Sequence, residues 1–166
     1  MMEWQEQARI LGQVALAMVL AAIVGLEREL ARRPAGLRTH MLVSGAAALL
    51  VGLGFTIVRR FGASTAYPLV RVDPVVVIQA VVTAVGFLGA GTILHEARAD
   101  PEAPIHIEGL TTAASLLYVA ALGTCVALGQ TWLALGVTAL AWTTLRLVGR
   151  LEVRIRRSRG AQPPRP

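Results

Sequence analysis

Three segments of the chain place polar residues beside long apolar runs, and each is open to a different chemistry. Gly25-Leu26-Glu27-Arg28-Glu29 sets three charges at the end of one apolar run, and Gly36-Leu37-Arg38-Thr39-His40 opens the next, eleven residues after Gly25. Charges this close to hydrocarbon usually pair, because pairing reduces their desolvation cost. Glu27 or Glu29 is therefore expected to meet Arg28 or Arg38 and hold the two runs together at one end. A ligand or partner site built on Glu27, Arg28, Glu29, Arg38 and Thr39 is the alternative. Gly86-Phe87-Leu88-Gly89-Ala90-Gly91-Thr92 places three glycines in six positions. In a membrane helix such glycines allow close backbone approach, so Gly86, Gly89 and Gly91 are expected to pack against a neighbouring helix. An unwound stretch whose carbonyls line a cavity is the second reading. The segment lacks the lysine of a phosphate-binding P-loop.

Gly109-Leu110-Thr111-Thr112-Ala113-Ala114-Ser115 combines small residues with three hydroxyls, and Gln79 and Thr83 add polarity to the preceding run. These groups are expected to face one another, as interhelical hydrogen bonds or as the lining of a polar path. His95, Glu96, Asp100, Glu102, His106 and Glu108 could supply nitrogen and oxygen ligands to a divalent ion. Their spacing fits no zinc signature, and an acidic solvated loop is expected, so metal binding stays open. Gly62-Ala63-Ser64 is similar to the serine motif of intramembrane proteases, but His40, His95 and His106 fall on the opposite side of the expected topology, beyond reach of Ser64. Neither a catalytic triad nor a carboxylate pair is evident elsewhere, so no enzymatic activity and no cofactor are expected.

These residues are spaced by spans. The chain has 166 residues, of which 55% are hydrophobic and only 16% charged, well below the charged fraction of soluble domains. A bilayer core about 30 Å thick takes about 20 helical residues. Uncharged stretches run from Ile10 to Leu26, Met41 to Val58, Val75 to Leu94 and Leu110 to Leu145, with 17, 18, 20 and 36 residues. The last is too long for one crossing and predicts two spans hinged near Gly129, Gln130 and Thr131. The fold class is thus all-α, a polytopic membrane protein with five transmembrane helices. Residues 1–149 form the membrane domain, and 150–166 a short basic cytoplasmic tail held against anionic lipid.

All 16 basic residues are arginine, the net charge is +6, and so apolar a chain is not expected to bind nucleic acid. With the N-terminus outside and the C-terminus in the cytoplasm, twelve arginines lie inside and four outside, as the positive-inside rule favours. The segment before Ile10 lacks a clear small-residue cleavage site, which fits a retained span better than a signal peptide. The single cysteine, Cys125, allows neither an intrachain disulfide nor a cysteine zinc site. An internal echo adds a possible parallel two-helix repeat. Val24-Gly25 leads to Gly36-Leu37-Arg38-Thr39, as Val85-Gly86 leads to Gly109-Leu110-Thr111-Thr112.

In order and spacing, GLERE with AGLRTHMLV, then GFLGAGTIL, then GLTTAASL resemble the MgtC/SapB family of bacterial inner-membrane proteins, over roughly residues 8 to 148. The resemblance implies a five-helix membrane domain with a cytoplasmic C-terminus and an association with growth in low magnesium. It also implies, from the best-studied branch, regulation of the membrane sector of ATP synthase rather than magnesium transport. It carries family interest onto Glu27, Arg28, Glu29, Gly36, Arg38, Thr39, Gly86, Gly89, Gly91, Gly109, Thr111 and Thr112. There are departures from that branch. It carries an additional soluble ACT-like domain, whereas this sequence stops seventeen residues after Gly149. Thr111 stands for a common asparagine, Leu117 for a tryptophan and Glu108 for a basic residue.

The expected function is a non-enzymatic inner-membrane regulator linked to magnesium homeostasis, binding another integral protein through the small-residue faces of the third and fourth helices. The alternative is a small oligomeric ion or solute transporter or channel, with a path beside Gln79, Thr83, Thr111 and Thr112 gated by Glu27 and Arg38. Partners on these readings are the lipid bilayer, an integral membrane protein and further copies of the chain.

Overall fold

The computed structural model describes residues 4–61, 73–97 and 109–149. These form five helices long and apolar enough to cross a membrane, named α1 (Trp4–Leu30), α2 (Leu37–Phe61), α3 (Pro74–Ala97), α4 (Leu110–Ala127) and α5 (Thr131–Thr143). The last continues through a π-helical turn, Thr144–Val148. Each uncharged stretch of sequence thus becomes a helix, since hydrocarbon offers the backbone no partner but itself. The helices also overshoot their apolar stretches, because water and headgroups tolerate a charged final turn. The expected tail and the Ser64 segment lie outside the described residues.

Two loops end the preceding helix with the same device. At the end of α1, Arg33 N–H donates to the Arg28 carbonyl and Arg32 N–H to the Glu29 carbonyl, both at 3.0 Å. Arg32 takes a positive φ of 54°, so this is a Schellman cap with arginine in the left-handed position. At the end of α4, Gln130 N–H donates to the Cys125 carbonyl at 2.9 Å and Gly129 N–H to the Val126 carbonyl at 3.0 Å. Gly129 has φ 73°, and glycine adopts it without steric cost. That cap cuts the 36-residue apolar run into two spans, where the sequence predicts the hinge.

With successive helices crossing in opposite directions, α1, α3 and α5 run one way and α2 and α4 the other. The end where α1 turns into α2 is here termed the mouth. Helix α4 is central, packing against all four other helices, while α2 lies against α1, α3 and α4. Ala17, Ala21, Ala48, Val24, Val119, Leu122 and Val126 are each no more than 1% exposed, and they fill the space among α1, α2 and α4. Val81 and Val85 attach α3 through Ala47, Val51, Leu116 and Ala120.

Close approach rather than oily attraction holds these helices, since lipid is as apolar as leucine. A Cβ on Gly123 of α4 would overlap the Ser44 carbonyl of α2, and one on Gly25 of α1 would lie 2.9 Å from Leu37 Cα. At the end opposite the mouth, Gln13 Nε2 donates to the Val126 and Ala127 carbonyls at 3.3 and 3.1 Å. It thereby serves the Ala127 carbonyl that the terminus of α4 leaves over, and shares the Val126 carbonyl with the Gly129 N–H. Glu6 pairs there with Arg59 at 3.4 Å.

Gly123→Ala is expected to destabilise the fold by about 1–3 kcal/mol through overpacking. Gly136→Ala, where an added Cβ meets nothing within 4 Å, is expected to be neutral or stabilising. Unfolding in detergent or nanodiscs compares the two, and equal stabilities would contradict the Gly123–Ser44 approach.

Candidate functional site at the mouth of the bundle

The polar residues of the first hairpin divide into three separate jobs. Glu27 and Arg28 pair with each other although adjacent in sequence, with Arg28 Nε and Nη2 both 2.7 Å from Glu27 Oε2. Their side chains are only 12% and 6% exposed, so the pair is held largely out of water at the end of a span. Glu29 does something different: its Oε2 accepts the Leu37 N–H at 3.0 Å. A helix start has unpaired N–H groups and a partial positive charge, so a carboxylate from α1 caps α2. A side chain at position 36 would overlap that carboxylate and displace it from the cap.

Arg38 and Thr39 are exposed, and among the described residues Arg38 forms no ion pair. Of the pairings open to the two glutamates, Glu27 with Arg28 is the one formed, and Arg38 takes no part in it. Helical rotation turns position 38 outward while Arg28 reaches its own neighbour. Closure of the hairpin rests instead on the Glu29 cap and on the Gly25–Leu37 approach.

Beneath these charges lies a histidine to which residue spacing gives no role. His40 is fully buried. Its Nδ1 is 2.8 Å from the Gly36 carbonyl, and its Nε2 is 3.0 Å from Ser115 Oγ on α4. Ser115 Oγ also lies 2.8 Å from the Thr112 carbonyl. One turn deeper, Ser44 is fully buried, and its hydroxyl has no hydrogen-bond partner among the described residues. A usable signal was present, since a histidine opening a membrane span is costly unless satisfied. Nothing in sequence spacing named Ser115 as its partner.

A serine oxygen 3.0 Å from an imidazole nitrogen has the spacing of a nucleophile and its base. Here both are enclosed, and Ser115 sits inside a helix whose N–H groups are committed to helical bonds rather than open to an oxyanion. The arrangement ties α2 to α4.

The glycines and hydroxyls of α3 and α4 take separate positions. Among the described residues, a Cβ added at Gly89 would fall 3.2 Å from Ala113 Cβ, whereas one at Gly86 or Gly91 meets nothing within 4 Å. The period of the helix explains this, because three glycines in six positions span more than one face. Gly109 contributes a turn conformation, with φ 91° at the start of α4. Gln79 and Thr83 are exposed on α3, the Thr83 hydroxyl donating to its own helix at the Gln79 carbonyl, 2.8 Å away. Thr112 is buried and Thr111 exposed. With Gly89 level with Ala113, Gln79 lies about 15 Å along the axis from that level, so the expected cluster of Gln79, Thr83, Thr111 and Thr112 is not assembled within one chain.

Among the described residues, no three of His, Cys, Asp and Glu come together. The candidate ion-binding loop falls on side chains outside them.

Five spans around a central α4, with a closed polar cluster at one end, define a small polytopic helical membrane protein. A profile of the MgtC family matches residues 14–154, and the chain belongs to that family. No curated protein and no solved structure matches it significantly.

Arg28→Ala leaves Glu27 as an unpaired, largely buried charge, and a loss of about 3 kcal/mol is expected. Arg38→Ala is expected to stay within about 0.5 kcal/mol of the wild type. Chemical unfolding in micelles measures both, and a larger effect at Arg38 would reverse this assignment.

Proposed function

We propose that this chain is a non-enzymatic regulator of the inner membrane that acts by contact with another integral protein, in the service of magnesium homeostasis or adaptation to low magnesium. The observation that carries this reading is the closed interior. Beside and below His40, the interior of the bundle is taken by Val24, Leu116, Val119, Leu122 and Val126, all no more than 1% exposed. An ion crossing there would have to be stripped of water beside apolar walls, at a cost of many kcal/mol. The polar path that a conduit reading needs along Gln79, Thr83, Thr111 and Thr112 lacks support within a single chain. The outward face of α3 supports a contact role, because Gly86 and Gly91 leave its backbone open to close approach. Membership of the family supports the link to magnesium.

We further propose that the mouth faces the cytoplasm. The twelve-to-four arginine imbalance supports this orientation. Trp4 and Trp132, 75% and 87% exposed, belong at the opposite interface, where indoles settle. Cytoplasmic and periplasmic reporters fused within the first loop and after residue 149 are expected to be active and inactive respectively. The reverse pattern would invert the assignment.

Purified protein in liposomes is expected to pass no magnesium, protons or potassium above the lipid background. Photo-crosslinking from position 87 in native membranes is expected to trap an integral protein, with the yield lost in Gly86→Leu while the fold persists. Robust flux that Thr111→Ala or Arg38→Ala abolishes would instead establish the transporter reading.

A further inference from the structure

The hydrogen bonds around His40 can be drawn in two patterns, one for each protonation state of the ring. Carbonyl oxygens only accept, so the 2.8 Å contact with Gly36 requires the proton on Nδ1. Neutral imidazole then presents a bare lone pair at Nε2, 3.0 Å from Ser115 Oγ. The Ser115 hydroxyl has one proton and two acceptors within reach, Nε2 and the Thr112 carbonyl at 2.8 Å. If it serves Thr112, two lone pairs face each other across 3.0 Å with no proton between them. If it serves His40, it leaves Thr112, whose carbonyl keeps its place in the helical ladder of α4. A second proton on the imidazole reverses the Ser115 bond. Nε2–H then donates to Ser115, Ser115 donates to Thr112, and Nδ1–H continues to donate to Gly36. All three contacts become hydrogen bonds at once, with only the hydroxyl proton turning.

We propose that His40 is a reversible proton-binding site whose occupancy rewires the contact between α2 and α4, so that the bundle responds to protons at its mouth. Neutral His40 is held by Ser115 donating to Nε2. Protonated His40 donates instead, and the chain of bonds runs from Gly36 through the ring to Thr112, linking the first turn of α2 to the early turns of α4. This deepens the regulator reading by naming an input to it, and it rests on that reading only for its use.

Charged groups surround the ring from two of the packed elements. From α1 come Arg28, whose guanidinium acts against a positive charge on His40, Glu27, which pairs with Arg28 at 2.7 Å, and Glu29, which caps Leu37. From α2 comes Arg38, exposed. From α4 come the hydroxyls of Thr111, Thr112 and Ser115, and the described side chains of α3 nearest the mouth, Gly89 to Ile93, include no titratable group.

The test is nitrogen-15 NMR of histidine-labelled full-length protein in nanodiscs, with His95→Gln and His106→Gln leaving His40 as the single histidine. Ring nitrogen shifts report directly which nitrogens carry protons. In alkaline buffer Nδ1 is expected protonated and Nε2 bare, and acid is expected to protonate both reversibly. Ser115→Ala removes a charge-assisted acceptor, and a roughly tenfold loss of proton affinity is expected. Ser115→Thr keeps the hydroxyl and is expected to titrate like the wild type, which separates chemistry from misfolding. A ring locked in one protonation state across the range in which the protein stays folded overturns the proposal. So does a neutral ring carrying its proton on Nε2, or a Ser115→Ala titration that matches the wild type. None of these outcomes depends on whether a membrane partner is found, so the two readings fail separately.

Discussion

Contact at short range holds α2 between α1 and α4. Hydrocarbon offers no gain from hiding one leucine against another, so helices inside a bilayer associate through van der Waals contact and through polar groups that need partners. Gly25 admits the start of α2 against α1, and Gly123 admits the Ser44 carbonyl against α4. The remaining arrangement follows from these two approaches. They bring the Glu29 carboxylate over the first turn of α2 and set His40 against Ser115. They also leave α3 bound through one face, with Gly86 and Gly91 on open backbone.

The mouth combines two ways of managing charge near lipid. Glu27 and Arg28 neutralise each other locally, which makes their joint presence tolerable and the loss of either partner costly. His40 instead hands its hydrogen bonds to the backbone before α2 and to a hydroxyl on α4. One device fixes a charge; the other leaves the number of protons open. A chain of these dimensions thus places a static element and a responsive one within a few residues of each other.

The spans were legible because span length is a physical constant of the bilayer and charges interrupt apolar runs cleanly. Even the division of the 36-residue run could be read, since Gly129 is suited to the left-handed cap that ends α4. The site was legible only in part. Residue types showed that Glu27, Arg28 and Glu29 lie at a helix end, but pairing depends on rotation about the helix axis, which a few residues of uncertainty at the end erase. Arg28 therefore took the role equally open to Arg38. The α3 glycines were legible in part for a similar reason. Spacing places them on adjacent faces, and only packing reveals that position 89 alone points inward. The His40–Ser115 link joins residues 75 positions apart, and nothing local encodes it.

The place of α4 also bears on biogenesis. Helices enter the membrane in the order of translation, yet the first helix finds its partners late. Gln13 on α1 donates to the end of α4 across more than a hundred residues, and α1 also packs on α5. Until the fourth span is released, the first hairpin waits in lipid with its Gly123 partner surface uncovered and its buried histidine lacking Ser115. Assembly is thereby gated by synthesis of the distal spans, and a chain arrested before α4 leaves His40 without its Ser115 partner and the Ser44 surface without Gly123.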